Sequence, residues 1–157
     1  MVSFHQVKTY LASRGLDVLE FTEPTATAET AAAAVGCSLA EIAKSMLLLV
    51  GGEPVLVVTC GDMKVKSSKL KKAAGLTGKV IFPDADQVLR YTGYAPGGVC
   101  PFLLPAELPV LLDESLRRFP TIYPAAGNAC SAVALDWRQL AALTGGYFAA
   151  LCDAVTG

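Results

Sequence analysis

Histidine is almost absent from this 157-residue chain, and that absence excludes the most familiar hydrolytic centres. The single histidine, His5, falls in the first predicted helix, where a surface position is the common reading. A Ser-His-Asp or Cys-His arrangement needs an imidazole beside its nucleophile. The phosphate-binding signatures G-x-x-x-x-G-K-[ST] and G-x-G-x-x-G are absent as well. Any chemistry must therefore depend on a lysine, small hydroxyl groups, backbone N–H groups or the substrate itself.

The cysteines form no recognisable framework. Their number is odd and no C-x-x-C pair occurs, which argues against a set of disulfides and against a zinc site. We therefore expect reduced thiols, no metal ion and no cofactor. The five positions are Cys37, Cys60, Cys100, Cys130 and Cys152.

Charge is scarce too. Only 17% of the residues are charged, 53% are hydrophobic, and the net charge is −1. This balance excludes a strongly basic nucleic-acid binder on overall charge, but it does not exclude a local patch of positive charge. No apolar signal segment opens the chain, and the longest apolar run, residues 46–50, is too short to span a bilayer. We expect one cytoplasmic domain over residues 1–157, with no membrane partner.

Helix and strand patterns are mixed along the chain. Capping residues predict helices after Ser3, Thr27, Ser38, Ser67 or Ser68, Asp84 and Asp136, and a helical turn at 114–118. Two apolar runs, 46–50 and 55–60, flank Gly51-Gly52-Glu53-Pro54 and predict a β-hairpin. Further strands are predicted at 17–21, 79–82, 99–103, 110–112, 121–123 and 131–135. The fold class that follows is α/β (α+β), a mixed, curled β-sheet flanked by helices.

Lys44 lies just before the apolar run 46–50 in the sequence. Lysine is rarely buried unless it is paired or used, although a lysine that ends a strand and reaches water is the ordinary alternative. Two small-residue segments, 93–101 and 125–128, are suited to surround it. The bare backbone at the glycines of the first segment can approach a carbonyl or phosphate closely, or can form a simple turn. We predict that folding brings the three segments together.

Two further features carry weaker predictions. Cys100 ends the glycine-rich segment, and without a base or cation to lower its pKa an unreactive thiol is expected. The second feature is a run of lysines without an acid among them. A solvated helix face is the usual explanation, and a phosphate-binding patch is the alternative. These residues are Lys64, Lys66, Lys69, Lys71, Lys72 and Lys79.

In order and spacing, several segments resemble the YbaK/prolyl-tRNA synthetase-associated domain family of aminoacyl-tRNA editing deacylases. The matching residues are Ile-Ala-Lys-Ser at 42–45, Thr-Gly-Tyr-Ala-Pro-Gly-Gly-Val at 92–99, Thr-Ile-Tyr at 121–123, Gly127 and the closing segment 140–145. The early segment 27–36 also fits. The resemblance spans roughly residues 22–153. It implies a curled sheet around a small pocket and hydrolysis of the ester in a mischarged tRNA, with tRNA for proline favoured. The implied partners are that tRNA's acceptor end and an aminoacyl-tRNA synthetase.

The resemblance also implies roles for particular residues. Lys44 is the predicted catalytic residue, and hydroxyls of the substrate or tRNA, or a substrate thiol, replace a protein nucleophile. The loop of Gly93, Pro96 and Gly97 positions the substrate through backbone contacts. With the arguments above, the predicted substrate-binding residues are Ser45, Gly93, Pro96, Gly97, Gly98, Cys100, Gly127, Asn128 and Ser131. The predicted tRNA-binding residues are Lys64, Lys66, Lys69, Lys71 and Lys72.

The sequence departs from the family where specificity is set. Members that act on cysteinyl-tRNA carry a serine where Ala125 stands and an aspartate where Ala132 stands. Members that act on alanyl-tRNA carry a histidine near Ser131. A serine often occupies the place of Cys100 before Pro101. The amino acid therefore stays open, as does a non-catalytic module that binds tRNA or a synthetase. A lysine Schiff-base enzyme has less support, because no partner acid or second lysine is evident beside Lys44.

Overall fold

The structure is a computed structural model that describes residues 1–155. Its five α-helices, within that range, are α1 (Phe4–Ala12), α2 (Ala28–Val35), α3 (Ser67–Ala74), α4 (Ala85–Thr92) and α5 (Trp137–Thr144). Its strands are β1 (Val18–Glu20), β2 (Ile42–Val50), β3 (Glu53–Cys60), β4 (Met63–Val65), β5 (Val80–Ile81), β6 (Val110–Asp113), β7 (Tyr123–Pro124), β8 (Ser131–Val133), β9 (Tyr147–Ala149) and β10 (Cys152–Ala154). Leu39–Glu41 and Glu114–Arg118 form short 3-10 helices.

Capping side chains begin four of the helices where the sequence predicts them. Ser3, Thr27, Asp84 and Asp136 each accept a hydrogen bond from a backbone N–H three residues on. Such caps satisfy donors that the first helical turn leaves free. The prediction that Ser67 or Ser68 caps α3 is wrong, because Lys66 is the N-cap and its side chain makes no capping bond. The Lys66 N–H donates instead to Leu151, so the chain is still held beside β10 at that point.

The main sheet is mixed, as predicted. Its strand order is β5-β2-β3-β6-β9, and β7 pairs with the start of β2 on the same edge as β5. The β2–β3 hairpin and the β2–β5 pair are antiparallel. The β2–β7, β3–β6 and β6–β9 pairs are parallel. Two small antiparallel sheets, β1–β8 and β4–β10, complete the strand pairing of residues 1–155. The fold therefore has the class that the sequence predicts.

One edge of β2 is left open in its middle. β7 pairs with Ile42 and Ala43, and β5 pairs with Leu49 and Val50, so no strand of residues 1–155 pairs with this edge at residues 44–48. The Ile42 carbonyl accepts from Gly61 on the β3 side. Since backbone groups alternate in direction along an antiparallel strand, Ser45 and Leu47 present their N–H and C=O groups to the open edge. The cavity described below is lined by residues 42–45, at the start of β2.

Apolar side chains cover both faces of the sheet. One core cluster, with Leu47, Leu56 and Val58 at its centre, receives α1, α4 and α5. A smaller cluster on the opposite face, with Leu48 and Val57, receives α3. The alternation of these strand residues between the two clusters follows the two-residue period of a β-strand.

Some local predictions are wrong. Residues 99–103 form no strand, because Pro101 has no backbone N–H and Leu103 has a φ of 52°, which turns the chain out of an extended path. The strand predicted at 121–123 shrinks to an isolated bridge between Ile122 and Leu135, followed by β7. Strands β4, β9 and β10 were not predicted from the sequence. Within residues 1–155, no helix is long and apolar enough to cross a membrane.

Candidate substrate-binding cavity

A cavity of about 250 Å³ lies at the open edge of β2. Its lining is made of small and polar side chains and includes no carboxylate and no imidazole. Lys44 is the only formally charged residue among them. The lining residues are Thr25, Ala26, Thr27, Ala28, Ala31, Ile42, Ala43, Lys44, Ser45, Gly97, Val99, Tyr123, Ala125, Asn128, Ser131 and Ala132.

The three segments singled out in the sequence meet at this cavity. Lys44 comes from β2, Gly97 from the glycine-rich loop, and Asn128 from the second turn. The start of α2 and strand β8 supply further walls. Sequence reasoning placed Ser131 of β8 at the site but did not place α2 there. The Thr27 cap was a usable signal for α2, because the first N–H groups of a helix are free to meet a ligand.

The cavity wraps around the strand edge, so both faces of β2 contribute to it. Lys44 lies opposite Thr59 of β3, and Ser45 lies opposite Val58. Neighbouring residues in a strand point to opposite faces. On the Lys44 face, α2 lies close to β3, because a Cβ built on Gly61 would stand 3.2 Å from the Ala28 Cβ. A ligand at this edge can therefore contact groups from both faces at once.

The Lys44 ammonium is not committed to an ion pair. The four ion pairs within residues 1–155 involve other groups, and Lys44 itself is half-buried. The nearby Asp62 is already held by Arg118, whose guanidinium hydrogen bonds lower the pKa of that carboxyl, with a smaller lowering from the Lys44 charge. A cation at a concave site with no protein partner is suited to hold a developing or existing negative charge.

The Ser45 hydroxyl is buried and lacks a partner. It is the only buried side-chain nitrogen or oxygen within residues 1–155 that has no hydrogen bond. Leaving such a group unsatisfied costs about 1–3 kcal/mol, so native structures keep few of them without a reason. Ser45 lines the cavity, and a ligand with a matching polar group would complete its bonding.

The second turn is held rigidly. The Asn128 side-chain oxygen accepts from the Cys130 N–H at 2.9 Å, which leaves the amide NH₂ group for a ligand. Ser131 is buried, and its hydroxyl accepts from the Ala126 N–H at 3.3 Å. The glycine-rich loop lies against this turn, because a Cβ built on Gly98 would stand 3.5 Å from the Gly127 carbonyl oxygen.

Five predicted contact residues line the cavity: Lys44, Ser45, Gly97, Asn128 and Ser131. Four others stand back from it. Gly93 ends α4 and its carbonyl accepts from Val2, whereas Pro96 is exposed and Gly98 backs the loop. Gly127 faces α1, where an added Cβ would lie 2.8 Å from Val7. These residues shape the loop and the turn, so direct substrate contact from them stays a prediction.

Cys100 does not line the cavity, contrary to the direct contact predicted for it. Its side chain is fully buried and its thiol donates to the Phe102 carbonyl oxygen, as does the hydroxyl of Tyr94. Burial raises the pKa of the Cys100 thiol to about 11. The thiol is therefore protonated at neutral pH and is a poor nucleophile, as the sequence predicts.

The lysine run is less positive than its sequence suggests. Strand β10 pairs with β4 and brings Asp153 within 2.7 Å of the Lys69 ammonium and 3.5 Å of the Lys66 ammonium. No acid lies within the run itself, but folding brings Asp153 beside two of its lysines, which reduces the predicted positive patch. Lys64, Lys71 and Lys72 take part in none of the ion pairs seen within residues 1–155. The described residues also contain no group of three or more His, Cys, Asp or Glu side chains that could hold a metal ion.

Comparison with known proteins shows the family of the chain. The model of a family described as the aminoacyl-tRNA editing domain matches residues 22–143. The chain is 39% identical to the uncharacterised protein YwhH of Bacillus subtilis (strain 168), over 88% of this chain and 89% of that protein. It is 37% identical to a proline–tRNA ligase of Bacillus licheniformis, over 58% of this chain and 16% of the ligase.

A solved structure adds a likeness of the whole fold. It is described as a candidate trans-editing enzyme for prolyl tRNA synthetase, and it superposes on this chain with a TM-score of 0.85 at 31% identity. The superposition covers 98% of each chain.

Proposed function

Because this chain belongs to the aminoacyl-tRNA editing domain family, we propose that it is a free-standing deacylase that hydrolyses the ester of a mischarged tRNA. We further propose that the carrier is tRNA for proline and that the amino acid removed is a small wrong one. The ligase and the trans-editing structure named above support the link to proline. Such a role would place the protein in the cytoplasm.

One observation carries the proposal. At the same cavity, an ammonium without an ion pair and a buried hydroxyl without a hydrogen bond come from adjacent residues, Lys44 and Ser45. Among residues 1–155, neither group has the protein partner that it would ordinarily have. An aminoacyl ester offers a carbonyl oxygen, hydroxyls and a phosphate, which are the partners that these two groups require.

The reaction is the addition of water to the ester carbonyl. The bond between that carbon and the ribose oxygen breaks, the ribose oxygen takes a proton, and the free amino acid and tRNA leave. Negative charge develops on the carbonyl oxygen, where the Lys44 ammonium can stabilise it. The cavity lining contains no carboxylate or imidazole to act as a base. A hydroxyl of the tRNA or a group of the amino acid is therefore the proposed proton carrier.

The size and lining of the cavity support a small substrate side chain. Alanines form much of the wall, and its volume is about 250 Å³. Ala125 and Ala132 offer no hydrogen bond to a polar side chain. Ser131 keeps its hydroxyl bonded to the turn, so it offers little to a ligand.

The test is a panel of tRNAs charged with labelled amino acids and incubated with the purified chain. It includes tRNA for proline bearing proline and bearing each of several wrong small amino acids, and an unrelated tRNA bearing its own amino acid. Release of a wrong amino acid with sparing of proline supports the proposal. Tight binding without release from any member would favour a non-catalytic module and would contradict the deacylase.

A further inference from the structure

Phe82 is the feature of the surface that the proposed reaction does not use. Its ring is 77% exposed, more than any other large hydrophobic residue within 1–155 except Met1. It directly follows β5, at the point where the chain leaves the main sheet. An isolated exposed apolar residue is normal, so its position must decide whether it has a role.

The strand register places Phe82 on the way to the cavity. Ile81 pairs with Leu49 and Val80 pairs with Val50, and the two strands are antiparallel. The chain after Ile81 therefore advances along β2 towards Leu48, in the direction of Ser45. Leu48 and Ser45 are three residue steps apart along the strand, which corresponds to about 10 Å. Phe82 thus lies beside the Leu48 end of the unpaired β2 edge. The other end of that edge, at residues 44 and 45, lines the cavity.

The charges beside Phe82 differ on its two sides. Lys79 lies immediately before β5, is exposed, and joins none of the ion pairs seen in the described chain. Asp84 and Asp86 follow it at the start of α4 and are exposed as well. A polyanion that crosses the ring would be attracted on the Lys79 side and repelled on the α4 side. A phosphate backbone that crosses the Phe82 ring would therefore run on its Lys79 side.

We propose that Phe82 and Lys79 form a binding site for single-stranded RNA, at which a base near the 3′ end of tRNA stacks on the ring while its phosphate meets the ammonium. The inference rests on the proposed function, since it takes the terminal nucleotide to lie at the cavity. Aromatic side chains commonly bind bases in this way, and the contact tolerates any base because every base has a π-face. The site extends tRNA binding along the open edge of β2, away from the lysines of α3.

The experiment compares two uncharged RNA hairpins that share one acceptor stem. One ends in single-stranded ACCA, and the other is blunt. Binding is measured by fluorescence anisotropy at one salt concentration for the wild type and the variants. The wild type should bind the ACCA hairpin more tightly. Phe82→Ala should weaken that complex about tenfold and leave the blunt hairpin unaffected.

Matched variants isolate stacking from general surface effects. Phe82→Trp should keep the preference for the ACCA hairpin, because indole also stacks. Tyr147→Ala removes a half-exposed aromatic from β9, at the opposite edge of the main sheet, together with its hydrogen bond to the Ala73 carbonyl oxygen. It should leave the preference for the ACCA hairpin intact. Lys79→Ala should weaken the ACCA complex and lower its salt slope by about one unit. The melting temperature of Phe82→Ala should match that of the wild type, since the ring is largely in solvent.

Several results would overturn the inference. They are a wild type that binds both hairpins equally, a Phe82→Ala variant that keeps the full preference, and an equal loss for both hairpins. A change of sedimentation with Phe82→Ala and an intact preference would show instead that the ring joins two copies of the chain. The mischarged-tRNA panel is run on the same wild-type protein. Release there with an unaffected Phe82→Ala variant defeats only the stacking site, whereas no release defeats the deacylase.

Discussion

At the scale of single residues, we expect a change at Ser45 to affect stability and activity in opposite directions. Its buried hydroxyl has no hydrogen-bond partner within the described part of the chain, so Ser45→Ala removes an uncompensated polar group. We expect the free energy of unfolding to rise by about 1 kcal/mol or more and the deacylation rate to fall, because the substrate loses a hydrogen bond. Chemical denaturation and single-turnover assays of the same preparation measure both effects.

Ser131 is the matched control for that experiment. Its hydroxyl is also buried at the cavity, but it accepts from the Ala126 N–H. Ser131→Ala leaves that N–H without its partner and should therefore reduce stability. If Ser45→Ala is the less stable of the two variants, or if it deacylates at the wild-type rate, the hydroxyl of Ser45 has no ligand role.

Cys100 gives a prediction about pH. Because its pKa is about 11 in the folded chain against an ordinary 9.0, the unfolded state loses this proton first as pH rises. The folded state is therefore destabilised progressively above pH 9.0, and Cys100→Ser should lose less stability there than the wild type. Its deacylation rate at neutral pH should be nearly unchanged. Melting curves across the alkaline range check the first prediction, and equal losses of stability in the two proteins would contradict it. An acyl group trapped on Cys100 would contradict the second.

At the scale of elements, strand β10 controls the charge of the lysine surface. Its Asp153 pairs with Lys66 and Lys69, so only part of the predicted tRNA-binding surface is available. We expect Asp153→Asn to tighten tRNA binding and steepen its salt dependence, since two more ammonium groups can then meet phosphates. Affinity measured over a salt series checks this.

The lysines themselves provide the comparison. Lys71 and Lys72 lie on α3 outside any ion pair in the described chain, so Lys71→Ala with Lys72→Ala should weaken binding and lower the salt slope. If tRNA binding responds to neither the lysine changes nor Asp153→Asn, this side of α3 is only a solvated face and the acceptor arm lies elsewhere.

At the scale of the whole molecule, the sequence predicts the larger elements better than the short ones. Capping residues and terminal glycines locate α1, α2, α4 and α5, since those signals are local. Strands β4, β9 and β10 have three residues each, and their pairing depends on partners far away in the chain. β10 in particular meets β4 across almost ninety positions, so neither the strand nor the ion pairs of Asp153 could be predicted from a local pattern.

The candidate site divides in the same way. Lys44, the glycine-rich loop and the second turn were singled out because each has an unusual composition. The open edge of β2 was not predicted, because it results from where β5 and β7 stop. The unpartnered hydroxyl of Ser45 and the withdrawal of Cys100 into the core likewise depend on packing.

The central proposal is that the cavity at the unpaired edge of β2 binds a mischarged tRNA, and that the Lys44 ammonium accelerates hydrolysis of its aminoacyl ester. Single-turnover deacylation by Lys44→Ala, at saturating protein and with thermal unfolding measured alongside, tests it most directly. Loss of one preorganised electrostatic contact of this kind typically slows a reaction about a hundred- to a thousandfold. Lys44→Arg should also be slow, because a planar fork does not replace a compact ammonium.

Lys72→Ala is the control, because it removes an exposed lysine from α3 and should alter binding without altering the saturated rate. The account predicts a folded Lys44→Ala protein that deacylates at least about a hundredfold more slowly than the wild type and the Lys72→Ala variant. A folded Lys44→Ala protein that releases the amino acid at the wild-type rate would contradict it.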